Sequence, residues 1–436
     1  YGSWKRTLLG LKEDLNPNLL QLPDNAFCTD TLYRPFQSSQ VDYKRLFAKV
    51  KSEEEGYHAL SLEGSQPPPL ILSIDLPRGR IPRLEESLLL LDEFNANWHD
   101  KPFILTNRDD KRWTKWNLLT LVDRFPDVKF RQEAVQWPLK LYAEYMQENH
   151  DESPLYLFDR LSPAMAELRK EYEAPKIFQE DLFTLFGKCR PDYAWLILGP
   201  KRSGSTFHKD PNYTSAWNTA LVGRKLWIMF PPNVIPPGVG TDEEESEVTS
   251  PVGICEWVLL GFFNDCLKME LCQVAITFPG ECIYVPSGWW HSVFNIDDSI
   301  ALTKNFVPKS KLSNAFNFLK NKRNQVSGFR LKEIRAAISN SQDDTLVHYR
   351  DAIDELQDEN LQNEDCGEIS CLPEMPIFEL FVELLKLNGY NKETDRALEE
   401  LQKLEHKSGG RSKIWENLEQ GKSTGFSFGF GFDEDD

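Results

Sequence analysis

Two histidines and an aspartate are the residues whose types and spacing could do chemistry together. In "STFHKDPNY" the pair His208-x-Asp210 puts two ligand side chains on one face of an extended segment, because strand side chains alternate with period two. Such a pair alone is more often a satisfied polar contact than half a metal site. The chain has seven histidines, and His291 in "VPSGWWHSVF" opens another strand-like run after a Pro-Ser-Gly turn, which makes it the natural third donor. Two imidazoles and one carboxylate with open coordination places form the facial triad that suits Fe(II) outside haem.

The segment after the pair reads as a hairpin, with Gly223-Arg224 as its two-residue turn. In that pairing Val222 faces Lys225, Ala220 faces Trp227 and Asn218 faces Met229, so Asn218 and Lys225 point the same way. The face also carries Ala220, Trp227 and Met229, where an unpaired ammonium is costly. Lys225 therefore calls for a buried carboxylate partner. In "ALTKNF" the same alternation sets Thr303 beside Asn305, adding a hydroxyl and an amide.

These residues must be held by strands. "YAWLILGP" (193–200), "TSAWNTALV" (214–222), "KLWIMFPP" (225–232), "ECIYVPSGWWHSVFN" (281–295) and "SIALTKNFV" (299–307) are short, rich in aromatic and β-branched residues, and bounded by Gly, Pro and Asn turns. Repeated strands of this kind predict a sandwich or jelly roll. From Leu84 onward "LEESLLLLDEFNANW" reads as helix, "KPFILTN" as strand and "WTKWNLLTLVDRFPDVKFRQ" as helix then strand, so the fold class is α+β with a mainly β core. After 310, "LSNAFNFLKNKRNQ", "TLVHYRDAIDELQ", "IFELFVELLKL" and "TDRALEELQKLEHK" have helical periodicity. The expected organisation is a helical or irregular lead-in over 1–84, a catalytic domain over 85–310, a helical region over 311–407, and a Gly/Phe-rich acidic tail over 408–436 that stays disordered.

Charge and composition narrow the partners. Of 436 residues, 40% are hydrophobic and 12% aromatic, enough for a large core. The net charge of −18 opposes a general grip on nucleic acid and favours basic protein segments, with the acidic stretch "GTDEEESEV" (240–248) as a feature that could steer them. No run approaches a membrane span, and the start has no apolar signal core, which points to an intracellular protein in the nucleus or cytoplasm. Eight cysteines without a C-x-x-C pair read as reduced thiols rather than a zinc site. The missing initiator Met is expected of a fragment or processed chain.

Taken together, "SPLYLFD" (153–159), "LGPKRSGSTFHKDPNYTSAWNTALVGRKLWIMFPP" (198–232), "YVPSGWWHSVFNI" (284–296) and "IALTKNFV" (300–307) resemble the Jumonji-C 2-oxoglutarate oxygenases, most closely the branch of the bifunctional arginine demethylase and lysyl hydroxylase. The resemblance covers roughly 85–310. It implies a double-stranded β-helix of the cupin type with flanking N- and C-terminal helices, binding Fe(II), 2-oxoglutarate and O2. By residue, it implies His208, Asp210 and His291 as iron ligands, and Lys225 as the partner of the distal carboxylate of 2-oxoglutarate. Asn218, Thr303 and Tyr156 match hydrogen-bonding positions for the cosubstrate, Ser205 lies nearby, and Asn305 and Trp195 line the site. The implied activity is hydroxylation of protein lysyl side chains, with demethylation of methyl-lysine or methyl-arginine as the alternative and Lys/Arg-rich protein as substrate. "YGSWKRTLL" is similar to the segment after an F-box in fungal F-box and Jumonji-C proteins, which implies a ubiquitin-ligase adaptor role with the barrel as a binding module. The C-terminal helices are expected either to form a homodimer, as in several relatives, or only to brace the barrel.

Overall fold

Short runs of β-branched and aromatic residues between Gly, Pro and Asn turns set the architecture. A computed structural model describes residues 81–421 apart from 134, 150, 152, 251–252, 260–261, 341–345 and 347–375. In chain order the strands are β1 Arg83–Glu85, β2 Phe103–Thr106, β3 Lys129–Gln132, β4 Val135–Pro138, β5 Leu157–Asp159, β6 Ala194–Gly199, β7 Gly204–His208 and β8 Ser215–Val222. They continue with β9 Lys225–Phe230, β10 Gly240–Thr241, β11 Val248–Thr249, β12 Gln273–Thr277, β13 Cys282–Val285, β14 Trp290–Asn295 and β15 Ser299–Phe306. Nine of them form one sheet in the order β1-β2-β13-β8-β15-β6-β5-β3-β4, and four form a second in the order β12-β9-β14-β7.

The two sheets face each other as a jelly-roll sandwich. Ala216, Ile283 and Val285 of the large sheet pack with Trp227, Met229, Ala275 and Val293 of the small one. The outer face of the large sheet is covered by the helices Leu118–Arg124 and Leu139–Glu148, through Leu121, Leu139 and Tyr142. The outer face of the small sheet is covered by Ile254–Leu259 and Phe262–Lys268, through Trp257, Val258 and Phe263. A third cluster joins the helices Leu312–Asn321, Leu331–Ser339, Ile377–Leu387 and Asn391–Gly421 to the turn Leu182–Cys189.

One expectation is overturned. Residues 214–222 and 225–232 do not form a hairpin: β8 pairs with β13 and β15, while β9 pairs with β12 and β14 in the other sheet. In a jelly roll, consecutive strands cross between sheets, so Gly223-Arg224 is a corner and not a two-residue β-turn. Gly223 has φ +75° there, and a Cβ would meet the Asp298 carbonyl oxygen at 2.3 Å, while Arg224 ties the corner to Asp297 at 2.6 Å. Asn218 therefore does not face Met229; its neighbours in register are Ile283 and Thr303.

Two boundaries also shift. "LEESLLLLDEFNANW" is not one helix, since Arg83–Glu85 pairs with β2 and regular helix begins only at Leu91. The last helix runs to Gly421, past the expected start of the tail at 408. The lead-in up to residue 80, nearly all of "TLVHYRDAIDELQ" and the end "GFSFGFGFDEDD" lie outside the described residues.

An aromatic knot holds the large sheet to its covering layer. Phe178 stacks on Tyr284 at 5.4 Å and lies 5.3 Å from Phe306 and 5.7 Å from Phe94. Phe178→Ala should lower the unfolding free energy by about 3–5 kcal/mol in urea titration, the cost of a large cavity. A loss below about 1 kcal/mol would show that the knot collapses around the gap.

Candidate metal and cosubstrate site

Period-two alternation on facing strands builds one cavity between the sheets. Trp195 and Ile197 of β6, Ala216 and Asn218 of β8, and Thr303 and Asn305 of β15 enter it from the large sheet. Lys225 and Trp227 of β9, His291 and Val293 of β14, and Ser205 of β7 enter from the small sheet. Tyr156 and Phe158 close one side, and the volume is about 180 Å³. All ten residues singled out in the sequence line this cavity. Asn218 and Lys225 do share it, but from opposite sheets.

His208 and His291 sit opposite each other in the β7–β14 ladder, with ring centroids 4.1 Å apart. Donor atoms of His208, Asp210 and His291 all lie within 4.8 Å of one another, and His291 Nε2 is 3.9 Å from Asp210 Oδ1. Both imidazoles donate from Nδ1 to a backbone carbonyl: His208 to Thr206 O at 2.8 Å and His291 to Trp289 O at 3.1 Å. That fixes the tautomer and leaves each Nε2 lone pair for a metal. Burial, reinforced by the His208 ring, pushes His291 down to about 4 against the pull of Asp210, so it is neutral at pH 7. Asp210 Oδ2 is buried without a hydrogen-bond partner. Two imidazoles that keep Nε2 free and an unsatisfied carboxylate oxygen fit a divalent cation.

Lys225, only 1% exposed, is the other notable group. Its Nζ donates to Tyr156 Oη at 2.8 Å and Asn295 Oδ1 at 2.9 Å, and no ion pair links it to an Asp or Glu among the described residues. The carboxylate that its burial calls for is not supplied by these side chains. Asn295 escaped the sequence reading although its signal was present: His291, Val293 and Asn295 alternate along β14, so the amide shares the face of the ligand. Its Nδ2 donates to Ser203 Oγ at 2.8 Å, which fixes the amide with Oδ1 toward Lys225. Gly199 makes room for Tyr156, since a Cβ there would come within 2.5 Å of the ring. Across the cavity Thr303 lies in register with Asn218, and its hydroxyl donates to Trp217 O at 2.8 Å. Asn218 Oδ1 is buried and unpaired.

With this geometry, likeness to known proteins becomes specific. Residues 97–312 match the family model described as a cupin-like domain. A 297-residue stretch is 34% identical to the bifunctional arginine demethylase and lysyl-hydroxylase psr-1 of Caenorhabditis briggsae, covering 62% of this chain and 72% of that protein. The chain belongs to the cupin-like JmjC family. Arginine-specific demethylase JMJ22 of Arabidopsis thaliana is 44% identical over 49% of this JmjC chain and 43% of its own length. The 2-oxoglutarate and iron-dependent oxygenase JMJD4 of Danio rerio is 28% identical over 43% of the chain and 46% of its own length. The chain thus spans less than half of these last two proteins.

In this JmjC chain the turn after Asp210 is unusually well tied. Asn212 and Tyr213 have φ of +55° and +56°, a region that residues other than Gly seldom occupy. Asn212 is held there by accepting from Ser327 N and donating to Ser327 O, both at 2.9 Å. Tyr213 stacks on Phe318 at 5.6 Å, and Ser287 Oγ donates to its carbonyl. Lys209, between the two ligands, donates to Pro232 O and pairs with Glu245 of the acidic loop. That loop is not simply solvated: Lys322 and Gln325 both donate to Glu244 O, and Asp242 accepts from Ser246 Oγ and Glu247 N.

Asn212→Gly keeps the backbone conformation but loses both bonds to Ser327, so unfolding in urea should show about 1–3 kcal/mol of destabilisation. Asn212→Ala should cost about 1 kcal/mol more, because an alanine resists positive φ. An alanine variant no weaker than the glycine variant would remove backbone strain from this account.

Proposed function

We propose that this chain is an Fe(II)- and 2-oxoglutarate-dependent oxygenase that hydroxylates protein side chains, with lysyl side chains as targets. The observation that carries the reading is the buried Lys225 ammonium without a carboxylate, in the same cavity as a preorganised His208, Asp210, His291 donor set. A small dicarboxylate chelated at the metal would complete both groups at once. Relatives named as a 2-oxoglutarate and iron-dependent oxygenase and as a lysyl-hydroxylase support the same assignment.

His208 Nε2, His291 Nε2 and an Asp210 oxygen would hold Fe(II). Bound there, iron with 2-oxoglutarate and O2 would supply the oxidation of a C–H bond to C–OH, with succinate and CO2 as the coproducts. The chain's own residues do the placing. Lys225 and Tyr156 fix the distal carboxylate, and Asn295 holds the ammonium in line. Asn218 and Thr303 set polar groups beside the cosubstrate, and Ser205 lies on the strand that ends in His208. Ile197, Ala216, Trp227, Val285 and Val293 keep the cavity apolar and limit water. Trp195 and Asn305 line it alongside Pro211, the residue after the Asp210 ligand.

The substrate is a protein. Within the acidic loop Glu245 is committed to Lys209, which leaves Glu243, Glu244 and Glu247 exposed to draw a basic segment toward the mouth. The 44% identity to an arginine-specific demethylase supports a second reading, removal of methyl groups from arginine. Intact mass separates the two, since hydroxylation adds an oxygen and demethylation removes methyl mass. Cys189, Cys266, Cys272 and Cys282 are buried and lie outside any disulfide, which supports a reducing, intracellular compartment. No helix among the described residues is long and apolar enough to cross a membrane.

His208→Ala or Asp210→Ala should abolish succinate formation while urea unfolding stays cooperative; normal turnover of 2-oxoglutarate in the double variant would sink the metal assignment. Lys225→Ala should weaken 2-oxoglutarate binding roughly ten- to hundredfold, the value of a charge-assisted contact of about 1.5–3 kcal/mol. An unchanged cosubstrate affinity would remove Lys225 from the site.

A further inference from the structure

A second cleft, of about 360 Å³, opens beside the candidate cavity and shares Trp195, Pro211 and Asn305 with it. Arg160, Arg190, Asp192 and Tyr193 meet the Asn212 turn and Ser327 in its wall. Arg160 and Arg190 bring positive charge to that wall, and further cations gather around its Tyr193 ring. Arg190, Lys304 and Arg169 lie 3.8, 5.5 and 5.9 Å from the centre of the Tyr193 ring.

The carboxylates there are oversubscribed. Asp181 is shared by Arg190 at 2.7 Å and Lys304 at 3.6 Å, and it also accepts the backbone N–H groups of Phe183 and Val307. Asp192 is shared by Arg160 at 2.5 Å and Arg330 at 3.3 Å. Arg169 donates to two carbonyls, Arg160 O and Ala194 O, with the buried Asp159 as the remaining nearby acid. Two guanidiniums and one carboxylate, Arg160, Arg190 and Asp192, line the cleft itself, and with the groups around them five cations stand against three carboxylates. Arg190 is 8% exposed, and its Nε has no hydrogen-bond partner.

The geometry points to a carboxylate-binding subsite: the cleft takes an aspartyl or glutamyl side chain of the protein substrate, a few residues from the side chain presented to the neighbouring cavity. It rests on the reading of that cavity as the oxidation site. Guanidinium forks suit a carboxylate, and the cleft is sized for a side chain. A long polyanion is disfavoured by the net charge of −18. The acidic loop and this cleft together select a segment of mixed charge, with a basic target and an acidic neighbour.

The test uses peptides with one fixed lysine and one flanking position varied among Asp, Glu, Asn, Gln and Lys. They are incubated with the chain, Fe(II) and 2-oxoglutarate, and oxidation at the fixed lysine is read by tandem mass spectrometry. An acid at one flanking position should raise product about fivefold over its amide. Arg160→Gln should bring that ratio close to one, whereas Asp192→Asn, which frees two guanidiniums, should raise it. Arg330→Gln, at an exposed position, should lower it in part and serves if Arg160→Gln does not fold. Equal product from acid and amide at every position, a preference for Lys there, or an acid preference untouched in both arginine variants overturns the subsite. Fluorescence anisotropy of the same labelled peptides separates this proposal from the one it rests on. Acid-dependent binding without oxidation overturns the activity and keeps the subsite, oxidation without acid dependence does the reverse, and neither signal overturns both.

Discussion

Lys225 lies between two β-sheets with a phenol and an amide as its only described hydrogen-bond partners, and much of the neighbouring structure serves to keep it there. Burying an ammonium without a counter-ion costs several kcal/mol, so the surrounding elements must hold it against its tendency to reach water. Tyr156 can approach because position 199 is a glycine. Asn295 can present its oxygen because Ser203 receives its nitrogen, and Ser203 is in turn anchored to Pro200 O. The backbone makes the same link, with Asn295 N donating to Ser203 O and Arg202 N to Asn295 O.

The face that carries the candidate donor set follows from the same sandwich. His291 and Asn295 lie four residues apart on β14, so the strand that carries one imidazole also carries the support for Lys225. His208 stands across the ladder from His291, and a bulge follows between His291 and Val293. A displacement of β14 would therefore disturb the ligand set and the Lys225 clamp together. The two halves of the cavity are mechanically one object.

Much of this was legible in the sequence, for an identifiable reason. The pleat dictates that His208 and Asp210, Thr303 and Asn305, and Lys225 and Trp227 project in pairs, and no tertiary information is needed to see it. These pairs were therefore readable even though the hairpin was not, while Tyr156, Ser205 and Trp195 came only from the resemblance to the Jumonji-C oxygenases. A Gly-Arg corner between two sheets and a two-residue turn within one sheet present the same local signals; only the strands that β8 and β9 pair with, more than 40 residues away in sequence, separate the two cases. Asn295 was missed because an asparagine near a strand end reads as a turn-former when its contact with Lys225 is unknown. The ties between the Asp210 turn and Ser327 were illegible, since they depend on where the C-terminal helices dock.

That docking gives the helical appendage a part in the geometry of the cavity. The C-terminal cluster reaches the cavity's surroundings through Asn212 with Ser327, Tyr213 with Phe318, and Lys322 and Gln325 with the acidic loop that holds Lys209. The first two fall within three residues of Asp210, which lies beyond the end of β7 and so receives no support from the ladder, and the loop contacts reach its neighbour Lys209 through Glu245. His208 and His291 are fixed by paired strands; Asp210 is fixed by a strained turn whose conformation the helices maintain. Loosening the helical unit should therefore act on the Asp210 carboxylate before it acts on the imidazoles, which makes the appendage part of the rigidity of this donor set as well as the wall of the adjoining cleft.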